Sequence, residues 1–163
     1  MSDSSNILPE LIEASRDGGE FYAEAAESVK DSELSKLFKR MARAKTDLAQ
    51  ELTNETVAKL VKPTRAVKAK VPTKEVKGAK KEGWVGEIQS VYRDLAPGMK
   101  TIQQDQVARI EETENQLLGR IQQVRHDKGN SYVVRVLAMQ YETHARAMGE
   151  ALRARKRRLI AAA

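Results

Sequence analysis

The sequence contains no cysteine and only two histidines, and both shortages restrict its chemistry. Without cysteine the chain has no disulfide, no thiolate metal site and no cysteine nucleophile. His126 and His144 are too few for a histidine-rich metal site. The glycine-rich loops that bind phosphate groups and the Gly-x-Ser-x-Gly pattern of serine hydrolases are also absent. We therefore expect no catalytic residue and no enzymatic activity.

Long hydrophobic runs are lacking as well. No segment approaches the ~18 apolar residues that a membrane-spanning helix needs. Residues 1–6 have neither the basic nor the apolar part of a signal peptide. We expect a cytoplasmic protein without a membrane span. Hydrophobic residues make up 40% of the 163 and charged residues 32%, which is typical of a single globular domain, here spanning residues 1–163.

Acidic and basic residues are distributed unevenly along the chain. Residues 1–35 hold nine acidic and two basic side chains, whereas residues 36–81 hold fourteen basic and four acidic ones. The formal net charge of the whole chain is +6. This asymmetry favours either head-to-tail self-association or an anionic partner for the basic parts.

Proline is scarce, and apolar residues recur every three to four positions, as in amphipathic helices. The pattern predicts four long helices, at about 7–29, 32–61, 99–127 and 131–158, and a short helix at 84–95. A basic linker at 62–83 and a basic C-terminal tail at 153–163 complete the chain. Short links force antiparallel hairpins, and the long linker allows the second and third long helices to run parallel. We expect an all-α, ferritin-like four-helix bundle of two antiparallel hairpins, joined by a long basic crossover.

Short motifs suggest a relationship over about residues 7–155. They are Leu11-Ile12-Glu13, Asp17-Gly18, Tyr22, Ala25-Ala26-Glu27, Val29-Lys30-Asp31, Glu33-Leu34, Leu37-Phe38, Gly83-Trp84, Glu111-Glu112-Thr113-Glu114-Asn115 and Glu142-Thr143-His144. Together they resemble a bacterial family of ferritin-like four-helix-bundle proteins of unknown function, distantly related to ferritin- and rubrerythrin-type bundles. The resemblance implies a bacterial origin and a stress-related role. The basic stretch Lys62 to Lys81 departs from the family pattern, so no role for it is implied.

A dinuclear metal centre in such a bundle needs one Glu from each of two helices and Glu-x-x-His from each of the other two. We aligned the chain with this pattern on Tyr22 and Leu37-Phe38. The ligand positions then fall near Ser15, on Lys45 with Leu48, on Glu111 or Glu114, and on Tyr141 with His144. At most two of these positions hold a ligand, and Glu-x-x-His occurs nowhere in the sequence. We therefore expect no dinuclear centre and no cofactor.

Glu114, Tyr141 and His144 remain as polar residues on otherwise apolar helix faces, and we expect them to be buried. Glu114 and His144 could form a remnant or mononuclear metal site. Alternatively they form a hydrogen-bonded pair, joined by Tyr141 or Lys45, that satisfies buried polar groups and sets the helix register. Two ligands rarely retain a metal, so the second interpretation is favoured.

Two basic segments are candidates for binding a polyanion such as nucleic acid, or an anionic membrane surface. Neither offers aromatic residues for stacking on bases, so binding would be non-specific and salt-dependent. The candidate residues are Arg65, Lys68, Lys70, Lys74, Lys77, Lys80 and Lys81 in the linker, and Arg155, Lys156, Arg157 and Arg158 in the tail.

Trp84 and Tyr92 stand out in the short helix because aromatic residues are only 4% of the chain. They either pack on their own bundle or form a dimer contact. The sequence thus favours a non-enzymatic bundle protein that acts by interaction or assembly as a homodimer. The alternatives are a degenerate or mononuclear metal-binding protein, such as an iron-handling oxidase, and a non-specific polyanion binder.

Overall fold

A computed structural model describes residues 4–60 and 83–161. Its helices are α1 (Ser4–Ser28), α2 (Ser32–Leu60), α3 (Trp84–Leu95), α4 (Gln104–His126) and α5 (Tyr132–Ala161), with a 3₁₀ turn at Ala96–Gly98. These two ranges contain no strand, which confirms the expected all-α class. No helix within them combines the length and hydrophobicity required to cross a membrane.

The long helices pack as two antiparallel pairs. In the first pair, the Ser35 hydroxyl near the start of α2 donates a 2.7 Å hydrogen bond to the Ala26 carbonyl near the end of α1. In the second pair, the Lys156 ammonium near the end of α5 lies 3.1 Å from Glu111 in the first half of α4. Apolar residues from both pairs belong to one hydrophobic core.

Contacts between the two pairs show how the helices of one pair run relative to those of the other. Lys45 of α2 contacts Tyr141 of α5, while Arg155 near the end of α5 pairs with Asp31 just before α2, so these two helices are antiparallel. The Lys30 amide, just after α1, donates a 3.2 Å hydrogen bond to the Lys100 carbonyl, just before α4. Since α1 is antiparallel to both α2 and α4, the helices α2 and α4 run in the same direction.

The short helix α3 lies along α1 and contributes to the same core. Its first residue, Trp84, donates a 2.7 Å hydrogen bond through Nε1 to Glu10. One turn further on, Gln89 donates a 2.5 Å hydrogen bond to Asp17. Near its end the Tyr92 ring stacks on Phe21 at a centroid distance of 4.7 Å. The matching order of these contacts shows that α3 runs parallel to α1.

A buried carboxylate joins α4 to α5. Glu142 accepts hydrogen bonds from Arg125 at 2.6 Å, Arg146 at 2.7 Å and Gln122 at 3.2 Å. The hydrogen bond from Arg125 is the main cause that lowers the pKa of Glu142 to about 2, against the opposing effect of burial. The carboxylate is therefore ionised at neutral pH and holds the two helices together.

Two helix ends differ from the sequence prediction. Helix α4 begins at Gln104 instead of near residue 99, because Met99 and Ile102 are buried in the connection that follows the 3₁₀ turn. Helix α5 continues through the predicted tail to Ala161. The basic residues there do not unwind it, because carboxylates of α2 and α4 pair with them. Of the predicted basic linker at 62–83, only Gly83 lies inside the described ranges.

Candidate functional site

The side chain of Lys45 lies in the middle of the helical core and is fully buried. Its ammonium donates a hydrogen bond of 2.7 Å to Glu114 Oε2 and another of 2.9 Å to the Tyr141 hydroxyl. Glu114 is mostly enclosed, with 13% of its side chain exposed. The buried ammonium thus has both an opposite charge and hydrogen-bond acceptors, without which its burial would strongly destabilise the fold.

Two further tyrosines complete the arrangement. The Tyr22 hydroxyl donates to Glu114 Oε1 at 2.5 Å, and the Tyr92 hydroxyl lies 3.5 Å from the same oxygen. We refer to Lys45, Glu114, Tyr22, Tyr92 and Tyr141 as the Lys45 cluster. Each of its members comes from a different helix, so the cluster connects all five helices of the described chain.

A glycine provides the space that Lys45 occupies. A Cβ atom at Gly18 would lie 2.7 Å from Lys45 Cδ and 2.9 Å from the Tyr92 hydroxyl, both too close for a real side chain. The aromatic rings supply further favourable contacts. The Lys45 ammonium lies 5.7 Å from the centroid of the Tyr22 ring and 5.5 Å from that of Tyr141, within the range of cation–π attraction.

The environment determines the protonation of the cluster. Burial is the largest single effect and would lower the pKa of Lys45, but Glu114 together with Tyr141 and Tyr92 more than compensates, and the net pKa is raised above the usual lysine range. Burial, reinforced by the charge of Glu114, raises the pKa of Tyr22. Burial also raises the pKa values of Tyr92 and Tyr141, although Lys45 partly opposes this. At neutral pH the lysine is charged and the three tyrosines keep their protons.

This protonation limits what the cluster can do chemically. A charged ammonium is not a nucleophile. At a pH far below their pKa values the tyrosines stay protonated and are poor general bases. Across residues 4–60 and 83–161, no group of three or more His, Asp or Glu side chains is placed to hold a metal ion. The cluster can cross-link helices and neutralise the Glu114 charge.

Two of the three polar residues expected in the core do meet there. Glu114 and Tyr141 are joined through Lys45, whereas the hydrogen-bonded interpretation paired Glu114 with His144 through Tyr141 or Lys45. The expectation for His144 is wrong, because it is exposed. The buried residues of α5, such as Val134, Tyr141 and Leu152, form one line along the helix, and residue 144 is rotated from it by roughly 80°.

Other members of the site were partly visible in the sequence. Lys45 follows the apolar spacing of α2, which is a sufficient signal for its burial. Tyr22 stood out as a motif residue and as an anchor of the metal-centre alignment, and Tyr92 as a candidate dimer contact, but neither was expected to join Glu114. Ser15, the predicted first-helix ligand position, is fully buried, and its hydroxyl has no hydrogen-bond partner among the described residues.

The two aromatic residues proposed for a dimer contact face their own chain. Tyr92 is buried in the core, as in the alternative that it packs on its own bundle, so it is not available for a dimer contact. Trp84 is partly buried, with Arg120 stacked 5.3 Å from the centre of its ring. The large apolar area of this short helix is therefore used mainly inside the protein.

Most of the predicted polyanion-binding residues are either paired or outside the described ranges. Arg155 pairs with Asp31 and Glu33, Lys156 with Glu111, and Arg158 with Glu33 at 2.7 Å. Arg157 is exposed. Those outside the described residues are Arg65, Lys68, Lys70, Lys74, Lys77, Lys80 and Lys81.

A surface cleft of about 350 Å³ lies between α2 and α5, and all the residues that line it come from these two helices. Its floor is apolar, and Tyr141 of the Lys45 cluster forms part of it. The cleft is lined by Arg40, Arg43, Ala44, Asp47, Leu48 and Glu51 of α2, and by Leu137, Gln140, Tyr141, His144 and Met148 of α5. The exposed His144 is thus a cleft residue.

Comparison with known proteins places most of the chain in one group. Residues 3–127 match a family described as "Domain of unknown function (DUF2383)". No curated protein and no solved structure gives a significant match.

Proposed function

The chain belongs to the DUF2383 family, and we propose that it is a ferritin-like helical bundle without catalytic activity that acts by assembling as a homodimer. The bacterial origin, cytoplasmic location and stress-related role implied by the resemblance belong to the same proposal. The ferritin-like topology is supported by the parallel course of α2 and α4. Two long helices that follow one another in the bundle and run in the same direction need one long crossover, as ferritin-like folds have.

The observation that carries the proposal is the charged, fully buried ammonium of Lys45. In the aligned metal-centre pattern, Lys45 and Tyr141 stand where ligands would be required. The ammonium already neutralises Glu114, and it would repel a divalent cation placed beside it. A cluster of this kind supports a structural role, in which a buried polar network selects one helix register.

Exposed apolar residues support action by assembly. At the start of α5, Tyr132 is 75% exposed, Val133 48% and Met139 44%. Single exposed apolar residues are common, whereas three among the first eight residues of one helix leave apolar surface for contact with another protein.

Metal analysis tests the non-catalytic part of the proposal. The protein is purified from cells grown with added iron and manganese, and bound metal is measured beside Glu114→Ala and His144→Ala variants. We expect no stoichiometric metal in any of the three. Stoichiometric iron or manganese that is lost on Glu114→Ala would overturn the proposal in favour of the iron-handling alternative.

Sedimentation of the full chain tests the assembly part. We expect a species of twice the 18.2 kDa chain mass at micromolar concentration. A monomer throughout the concentration range would refute the assembly part of the proposal.

The polyanion-binding alternative is weakened because three of the four predicted tail residues already pair with carboxylates of the same chain. Salt titration of DNA binding, with and without residues 62–81, measures what the linker contributes.

A further inference from the structure

The outer face of α2 has an ordered charge pattern beside the cleft. Arg40 and Arg43 are followed at helical spacing by Asp47 and Glu51, so basic residues occupy one half of this rim and acidic residues the other. All four side chains are exposed. None of them has an ion pair or side-chain hydrogen bond with another residue in the described ranges. The small Ala44 lies between the two halves and leaves room for a close approach.

The α5 side of the cleft carries almost no charge. The residues of α5 that line it are Leu137, Gln140, Tyr141, His144 and Met148. The same stripe continues one turn earlier to the exposed Val133. The nearby charged residues Glu142 and Arg146 are engaged with each other and with α4. This uncharged helix face is exposed at Val133, Gln140 and His144, and it lies next to a rim of unpaired charges, which is the composition of a protein interface.

We propose that this α2–α5 face binds the same face of a second copy of the chain, related by a two-fold axis in the interface and perpendicular to both helices. The inference rests on the proposed assembly function and names its surface. A two-fold interface uses one patch twice, so the patch must complement itself. Here α2 would pack antiparallel to α2 of the second copy, and α5 antiparallel to α5.

Under this two-fold symmetry the charges on α2 face opposite charges on the second copy. When the antiparallel helices cross near residue 45, Arg40 faces Glu51 of the second copy and Arg43 faces Asp47 of the second copy. Each of these pairs occurs twice, so the rim of the dimer has four pairs of opposite charges. A two-fold axis parallel to the helices would instead place α2 against α5 of the second copy, where the rim charges would meet uncharged residues. The charge order therefore favours the antiparallel dimer.

The residues that line the cleft on α5 can also pair across the same two-fold axis. A crossing point between residues 140 and 141 places Val133 on Met148 of the second copy and Leu137 beside His144 of the second copy. The crossing points on the two helices lie at one level of the bundle, because Lys45 and Tyr141 are joined by a 2.9 Å hydrogen bond. One axis thus accounts for both halves of the face.

Charge reversal on the full chain tests the proposal. The acidic variant carries Arg40→Glu and Arg43→Glu, and the basic variant carries Asp47→Lys and Glu51→Lys. Each variant alone would bring like charges together, and we expect its dimer dissociation constant to rise at least about 100-fold. Mixed in equal amounts, the two should form a heterodimer. A chain with all four changes should again form a homodimer.

A matched control separates this effect from a change in net charge. Glu20→Lys with Glu24→Lys alters two exposed acids on α1 by the same charge as the basic variant, and it should leave the dimer intact. Circular dichroism verifies that every variant is folded. If the wild type is a dimer and both reversed variants remain dimers, or if their mixture fails to associate, this interface is wrong while the proposed function stands. A monomeric wild type would remove the proposed function as well.

Discussion

Lys45 and Glu114, 69 positions apart in the chain, form a 2.7 Å ion pair between α2 and α4 inside the core. Tyrosines from the other three helices bond to one or other of the two charged groups. A shift of any helix by one turn would separate a donor from its acceptor in a place that water does not reach freely. The cluster therefore favours one arrangement of the five helices over shifted ones.

Removing the ammonium should strongly destabilise the fold. Lys45→Met keeps the length and apolar stem of the side chain, but it leaves Glu114 as an uncompensated, largely buried charge. We expect the free energy of unfolding to fall by about 3–5 kcal/mol in urea denaturation. Lys39→Met removes an exposed lysine from the same helix, and it should change stability by less than about 0.5 kcal/mol.

A second substitution tests the cause of that loss. Adding Glu114→Gln to Lys45→Met removes the orphaned charge and still offers the Tyr22 hydroxyl an acceptor. The double variant should therefore recover part of the lost stability. A loss of under about 1 kcal/mol in Lys45→Met alone would show that the ion pair does not hold the core together.

Glycine-to-alanine changes at two helix positions should have opposite signs. Alanine normally stabilises a helix interior by about 1 kcal/mol relative to glycine. A Cβ atom added at Gly119 would meet nothing within 4 Å, so Gly119→Ala should raise stability by about that amount. At Gly18 the new methyl group meets Lys45 Cδ and the Tyr92 hydroxyl, neither of which can move without breaking the cluster. We expect Gly18→Ala to cost about 1–3 kcal/mol in the same denaturation assay. Equal stabilisation at both positions would contradict the tight packing around Lys45.

Acid stability should depend on Glu142. Its pKa is lowered from 4.5 to about 2 in the folded protein, so its contribution is complete above about pH 5 and is lost as the pH falls through 4.5 towards 2. Glu142→Gln should cost about 1–2 kcal/mol at pH 7, a range reduced because Arg125 and Arg146 are partly exposed. The stability difference between the variant and the wild type should shrink as the pH falls through this window. Glu150→Gln, an exposed change on the same helix, should show no such convergence.

Alkaline unfolding should coincide with tyrosine ionisation. The pKa values of Lys45, Tyr22, Tyr92 and Tyr141 are all raised by folding, so their contribution is present below about pH 10 and is lost as the pH rises further. In a Tyr132→Phe variant the remaining three tyrosines all belong to the cluster. Their tyrosinate absorbance should appear together with the loss of helical circular dichroism. Tyrosinate formation in a fully helical protein would show that the cluster is open to solvent.

The all-α class was predictable because the apolar spacing is regular over long stretches, as in Leu34, Phe38, Met41 and Leu52 of α2. The residues at which the helices begin and end were less predictable. Nothing near Arg155 indicates that Asp31 and Glu33 will pair with it and its neighbours and keep the last turns helical. Likewise the start of α4 depends on the burial of Met99 and Ile102, which a local pattern does not reveal. Both ends are determined by contacts between distant parts of the chain.

The site was predictable only in part. Glu114 and Tyr141 stand out as polar residues on apolar stripes. The sequence indicated a buried hydrogen-bonded pair of Glu114 with His144, joined by Tyr141 or Lys45, and the structure contains all of these residues except His144 in the core. His144 was misplaced because a spacing of three residues from Tyr141 allows either an inward or an outward position, and only the packing of α5 decides between them. The charge pattern from Arg40 to Glu51 could not be interpreted from the sequence, because it indicates an interface only once the structure places the uncharged stripe of α5 next to it.

The ion pairs at the end of α5 also affect how the protein responds to trimming. Arg158 lies 125 positions after Glu33, yet the two are in contact beside the turn between α1 and α2. A protease that cut near Arg153 would remove the guanidinium partners of Asp31 and Glu33 together. Loss of the segment after Arg153 would then loosen the distant first hairpin, and limited digestion would proceed from the turn between α1 and α2.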